Sequence, residues 1–170
     1  MSLKKRHNRI DLITKQWKLD KTHSLITRYK IDKKFFEEFK FNIKLYISKA
    51  LKISFNTNDN SFIRNIDKAR NNRLNITPNG AIVPKREFHL EYNLVLRSWC
   101  DLVTRISKKN PKLLKLFRIT PNIRIKFGKE LNDNKNRELS TSHPHSDAWV
   151  EGPWGMNCYI PFFGDIKNNN

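Results

Sequence analysis

The 170 residues include 34 Lys and Arg against 16 Asp and Glu, a formal net charge of +18. With 38% hydrophobic and 11% aromatic residues there is enough apolar mass for a core, which excludes disorder throughout, and the length fits one domain with room for an arm. No apolar run approaches the ~20 residues of a membrane helix, the basic start lacks the unbroken apolar stretch of a secretory signal, and two cysteines, Cys100 and Cys158, make no disulfide framework, so a reducing, cytoplasmic setting is expected.

Residues 1–30 are polar and basic with scattered apolar anchors such as Trp17 and Tyr29, the pattern of an arm or short helices. From Asp32, a capping residue, Phe35, Phe36, Phe39, Ile43, Tyr46, Ile47 and Ala50 recur at helical spacing to about Leu51. At that spacing an aromatic stripe is a core face rather than a ligand surface. A turn at 56–62 leads into a short helix over about 60–73. Two Pro and one Gly make 75–87 a loop. Glu87 to about Ser107 forms a second amphipathic helix that buries Trp99. Asn110-Pro111 then opens a short helix through Phe117.

The texture changes after Pro121. Asn122-Ile-Arg-Ile-Lys-Phe-Gly128 alternates polar and apolar residues, the period of a half-buried strand. A polar loop over 129–141 precedes His143-Pro-His-Ser-Asp-Ala-Trp149. A second apolar run, Met156-Asn-Cys-Tyr-Ile-Pro-Phe-Phe163, follows Glu151-Gly-Pro-Trp-Gly155. Helices first and strands last predict an α+β chain, with a mainly helical region over 1–118 and a strand-forming region over 119–170.

The charge is spread rather than gathered into a tail: +8 over 1–34, +5 over 35–100, +7 over 101–140 and −2 over 141–170. Clustered Lys and Arg would bind nucleic acid by releasing counterions from phosphate. The chain, however, holds 22 Lys, 20 Asn and 17 Ile, all residues of A/T-rich codons, so codon composition explains most of the excess. No zinc-finger spacing or Gly-rich phosphate loop supports a nucleic-acid partner, which is an alternative and not the favoured reading.

Chemistry-bearing residues concentrate at His143, His145 and Asp147. In an extended segment, positions i, i+2 and i+4 face one side, so these three could share a pocket. Two imidazoles and one carboxylate on one face of Fe(II) leave open positions for substrate and O₂. His145-x-Asp147 alone has low specificity, and a polar loop is the bland alternative.

Context adds to it. Ser142-His-Pro-His-Ser-Asp-Ala-Trp149, Gly152-Pro-Trp-Gly-Met-Asn157 and Ile160-Pro-Phe-Phe-Gly-Asp165 together resemble the 2-oxoglutarate/Fe(II)-dependent dioxygenase superfamily. Arg124-Ile-Lys-Phe-Gly128 is similar to the strand that leads into the H-x-D motif in the hydroxylase branch, with Ile125 where that branch has a tyrosine. The resemblance covers about 122–170. It implies the first strands of a double-stranded β-helix, a jelly roll, incomplete here, with Fe(II) as cofactor and 2-oxoglutarate as cosubstrate. His145 and Asp147 would be the first two metal ligands. Lys126, Asn157 and Tyr159 would line the 2-oxoglutarate pocket, and His143 would orient a ligand or the loop. Trp149 and Trp154 would pack near the mouth. A small-molecule substrate is implied.

The family also needs a distal His, then an Arg or Lys for the far carboxylate of 2-oxoglutarate. None of the 23 residues after Asp147 is His. The expectation is therefore an N-terminal piece of a longer oxygenase that, taken alone, binds iron poorly and turns over little. A rival within metal proteins is a cupin-type site built from His143, His145 and Glu151. Its spacing fits less well, because five residues separate His145 from Glu151.

Overall fold

Asp32 opens the first long helix by turning its carboxylate onto the amide of Lys34, 2.9 Å away, which satisfies one of the donors a helix start leaves bare. The computed structural model describes residues 31–71, 74–109, 117–127 and 158–164, with Lys4, Asn8, Asp11 and Lys15 as exposed helical positions. In it this helix, α1, spans Lys33–Leu51. It stops at Lys52, whose φ of 54° and ψ of 45° are left-handed. The amides of Lys52 and Ile53 then bond back to the carbonyls of Lys49 and Ser48 at 3.3 and 3.0 Å. That closure satisfies carbonyls the last turn would leave bare, at a cost of about 1 kcal/mol for a lysine where glycine is usual.

Helix α2, Asp59–Lys68, is capped by the Asn58 side chain, which accepts from the Ser61 amide at 3.0 Å. A 3₁₀ turn at Arg86–Phe88 runs directly into α3, His89–Lys109. The buried stripe of α1 (Phe39, Ile43, Tyr46, Ile47, Ala50) meets a stripe made of Phe88, Tyr92, Val95, Trp99 and Leu102. Both recur at three- and four-residue steps, which puts each on one helical face.

Cross-helix contacts give the register. The Phe39 ring faces Trp99, Asn42 Nδ2 donates to Ser98 Oγ at 2.6 Å, and Tyr46 sits against Tyr92 and Phe88 at 5.3 and 5.6 Å. As numbers rise along α1 they fall along α3, so the two helices are antiparallel. Phe62 and Ile66 of α2 close the core from one side. At about 1.5–3 kcal/mol per fully buried large apolar side chain, this cluster is the main source of stability.

The segment 75–83 is a tight hairpin. Thr77 accepts from Gly80 at 2.9 Å across Pro78-Asn79, and the Thr77 amide donates to Ala81 at 2.8 Å. Asn75 takes a left-handed φ of 58° and sends its Nδ2 to the Ala50 carbonyl, 2.7 Å away, which ties the hairpin to the end of α1. Two isolated antiparallel bridges, Ile76↔Ile82 and Ala81↔Arg124, are the only β-pairing among the described residues.

This corrects the predicted architecture. The expected α+β chain, with the first strands of a jelly roll from residue 119, is not what the described residues form: 57% are helical, 4% are in strand-type bridges and none belongs to a sheet. The physical reasons are local. The hairpin that receives residues 121–127 holds Pro78 and Gly80 and runs into Pro84, so its pairing stops at single bridges. In the second run, adjacent Phe162 and Phe163 both pack inward, whereas a strand would send them to opposite faces. Helices, not a second sheet, provide the surface both runs cover.

Candidate functional site

The runs on either side of the His145-x-Asp147 motif, 121–127 and 158–164, both dock on the helical core. The first is approached through Arg118, whose carbonyl accepts from Trp99 Nε1 at 2.8 Å. The Ile125 amide then donates to Gly80 at 2.8 Å, and the Ile82 amide donates to Ile123 at 2.9 Å. Gly80 is needed for this approach, since a Cβ there would lie 2.2 Å from the Ile125 carbonyl oxygen. The alternation read from the sequence survives as exposure. Ile123, Ile125 and Phe127 are half-buried against the core, while Arg124 and Lys126 face solvent.

The second run is held by rings. Phe162 stacks on Phe36 at 5.4 Å with planes 9° apart and meets Phe39 edge-on at 5.2 Å. Phe163 packs against Phe62 at 5.3 Å. The ammonium groups of Lys40 and Lys44 lie 5.4 and 5.6 Å from the Phe163 ring centre, within cation–π range. Lys44 is also 5.4 Å from the Phe62 ring.

Below those rings is the most tightly held polar group among the described residues. Lys40 hydrogen-bonds one oxygen of Asp59. Lys44 takes the other at 2.7 Å and also donates to the Thr57 carbonyl. The Lys44 side chain is only 4% exposed, so its charge depends on these partners in place of water. Burial pushes the Asp59 carboxyl up, but hydrogen bonds and charge from the two lysines outweigh that and hold it below its usual range.

Lys126 is exposed at the end of the first docked run. Tyr159 is 82% exposed at the start of the second and makes no ring contact among the described residues. His145, Asp147 and Asn157 lie outside the described residues, as do His143, Glu151, Trp149 and Trp154. Among the described residues, no three His, Cys, Asp or Glu side chains gather closely enough to hold a metal. The one described histidine, His89, is exposed, with Nδ1 2.8 Å from the Arg86 carbonyl. A carbonyl only accepts, so Nδ1 is the donor in that contact. Cys100 and Cys158 are both free. No described helix is long and apolar enough to cross a membrane.

Compared with known proteins, the chain matches no family model, no curated protein and no solved structure.

Sequence reasoning did not single out Lys40, Lys44 or Asp59. The signal was present in the spacing: Lys44 stands next to Ile43 and one turn before Ile47 and Ser48, inside the apolar stripe of α1, where a lysine needs a partner.

Proposed function

We propose that this chain carries part of the site of a 2-oxoglutarate/Fe(II)-dependent oxygenase acting on a small-molecule substrate, most simply as a hydroxylase. The observation that carries the reading is His145-x-Asp147 in its setting, Ser142-His-Pro-His-Ser-Asp-Ala-Trp149 followed by Gly152-Pro-Trp-Gly-Met-Asn157. A neutral imidazole and a carboxylate two positions apart are donors that suit a divalent first-row ion. His145 and Asp147 would hold the metal. A third ligand would come from outside residues 148–170, where there is no His.

Lys126, Asn157 and Tyr159 would bind the dianionic cosubstrate. The exposure of Lys126 and Tyr159 leaves both side chains accessible to it. With Fe(II) held there, the chemistry supplied would be reduction of O₂ by 2-oxoglutarate and substrate together, the keto acid leaving as succinate and CO₂ with one oxygen atom and the substrate C–H becoming C–OH with the other. The chain would contribute ligands, a cation for a carboxylate, and flanking runs that pack on a helical core. The reading rests on the motif. A reducing, cytoplasmic setting belongs to the same proposal, since it keeps iron ferrous and both cysteines as thiols.

The test is titration of the chain with Co(II), followed by absorption, alongside an assay for 2-oxoglutarate-dependent succinate with Fe(II) in a longer reading frame that supplies the third ligand. Saturable Co(II) binding weakened tenfold or more by His145→Ala and by Asp147→Ala, with succinate formation lost in Asp147→Ala, is expected. Co(II) binding indifferent to both substitutions, or no succinate above background, refutes the reading. Tight, salt-sensitive binding to nucleic acid that survives His145→Ala would favour a basic nucleic-acid-binding protein instead.

A further inference from the structure

Residues 158–164 reach the helical core only through side chains. Ile160, Phe162 and Phe163 pack against it, and no backbone hydrogen bond ties the segment to the helices among the described residues. Pro161 adds no donor. A segment held this way has low local stability compared with the helices below it, because each of its contacts is a side chain that can lift without breaking a ladder.

The contact beneath Phe163 is unusual in charge. Two ammonium groups share the single carboxylate of Asp59, which leaves a positive excess in a place where Lys44 is almost without water. The negative face of the Phe163 ring, 5.4–5.6 Å from both nitrogens, takes up part of that excess, beside the Thr57 carbonyl and the Phe62 ring that Lys44 also meets. Ring and carboxylate therefore depend on each other. Without the ring, Lys44 meets water. Without the carboxylate, a buried lysine has too little compensation and is driven toward solvent, away from the ring.

We propose that residues 158–164 form a releasable strap, latched by Phe163 over the Lys40–Asp59–Lys44 cluster, that opens as a unit while α1, α2 and α3 stay folded. The strap stands on its own geometry and owes nothing to the oxygenase reading. Phe162 supplies the apolar grip on Phe36 and Phe39, and Phe163 supplies the part that senses charge.

The two lysines report its state directly. Brief amine-reactive labelling of the full chain, read by peptide mass spectrometry, should find Lys44 slowest, Lys40 slow, and the exposed Lys33, Lys34, Lys49 and Lys52 fast. Phe163→Ala should raise Lys44 labelling roughly tenfold or more, leaving the exposed lysines and the amide exchange of α1 and α3 unchanged. Phe163→Tyr should restore slow labelling, since it keeps the ring. Asp59→Asn should also raise Lys44 labelling, and Asp59→Glu should largely reverse that rise. Lys44 labelling unaltered in Phe163→Ala overturns the latch. A joint rise of all α1 lysines and of helix amide exchange, in both Phe163→Ala and Asp59→Asn, overturns the strap as a separable unit.

Discussion

Replacing Gly80 by alanine tests how firmly residues 121–127 are fixed to the hairpin. Gly80 has a φ of +86°, and a Cβ on it would stand 2.2 Å from the Ile125 carbonyl oxygen. The new methyl group is opposed twice. An L residue in this left-handed region costs roughly 1–2 kcal/mol. The overlap then pushes Ile125 away and breaks two backbone bonds, Ile125 N–H to Gly80 O and Ile82 N–H to Ile123 O. At about 0.5–1.5 kcal/mol each, the whole penalty is about 2–5 kcal/mol, a large share of the 5–15 kcal/mol typical of a folded domain.

Gly164 provides the comparison. Its φ is +91°, but nothing lies within 4 Å of a Cβ there, so Gly164→Ala carries the backbone part alone. Urea unfolding followed by circular dichroism should place the Gly80→Ala midpoint about 1–2.5 M below the parent, for a slope of ~2 kcal/mol per molar. The Gly164→Ala shift should be about half as large or less. Amide exchange at Ile82 and Ile125 should accelerate in Gly80→Ala before that of the helices. Equal midpoints for the two variants, or no loss of protection at Ile82 and Ile125, would refute the docking of 121–127 against Gly80.

The Tyr46 hydroxyl is fully buried and has no hydrogen-bond partner among the described residues, so Tyr46→Phe should leave the urea midpoint at pH 7 unchanged or raise stability by up to ~1 kcal/mol; a clear loss would show a missed partner. Burial first, and the neighbouring Tyr92 second, push the Tyr46 phenol well above its ordinary value of 10.0, and burial raises Tyr92 as well. Both folded-state values being raised, their contribution is intact below about pH 10 and is lost as pH climbs above it, because the unfolded chain then releases protons the fold retains. Unfolding midpoints measured between pH 8 and 11 should fall at the alkaline end, less steeply in Tyr46→Phe; identical slopes would contradict this. Trp99→Phe removes the 2.8 Å bond to the Arg118 carbonyl and should cost about 1–2 kcal/mol, with faster tryptic cleavage after Arg118; unchanged cleavage would separate the bond from the anchoring.

Helices α1 and α3 were legible because their information is local. Asp32 caps, the apolar residues repeat every three or four positions, and each stripe needs only one partner face, which the other supplies. The loop at 75–87 was legible as Pro and Gly punctuation, but its pairing with 123–125 was not. That pairing depends on residues more than 40 positions apart and on the missing side chain of Gly80, which no periodicity records. Alternation in 122–128 is present in the structure as half-buried Ile123, Ile125 and Phe127 against exposed Arg124 and Lys126. It could not say that the covering layer would be helix rather than sheet, and the jelly-roll expectation failed on that point.

The run at 156–163 shows the other way a pattern misleads. Apolar density suggested a strand, yet two adjacent phenylalanines and a proline fit poorly with a period of two, and the structure resolves the conflict by packing both rings onto α1 and α2. The lysines beneath them were hidden for a related reason. A chain with 22 Lys invites each one to be read as solvated surface, and composition then masks position. Position was the better guide at Lys44, four residues after Lys40 and flanked by Ile43 and Ile47, because a cation inside an apolar stripe requires both a carboxylate and a further negative partner in place of water. Asp59 and Phe163 meet those two requirements from different parts of the chain. A contact between 40, 44, 59 and 163 is therefore one of the long-range constraints that join the helical half of the sequence to the half that carries His145 and Asp147.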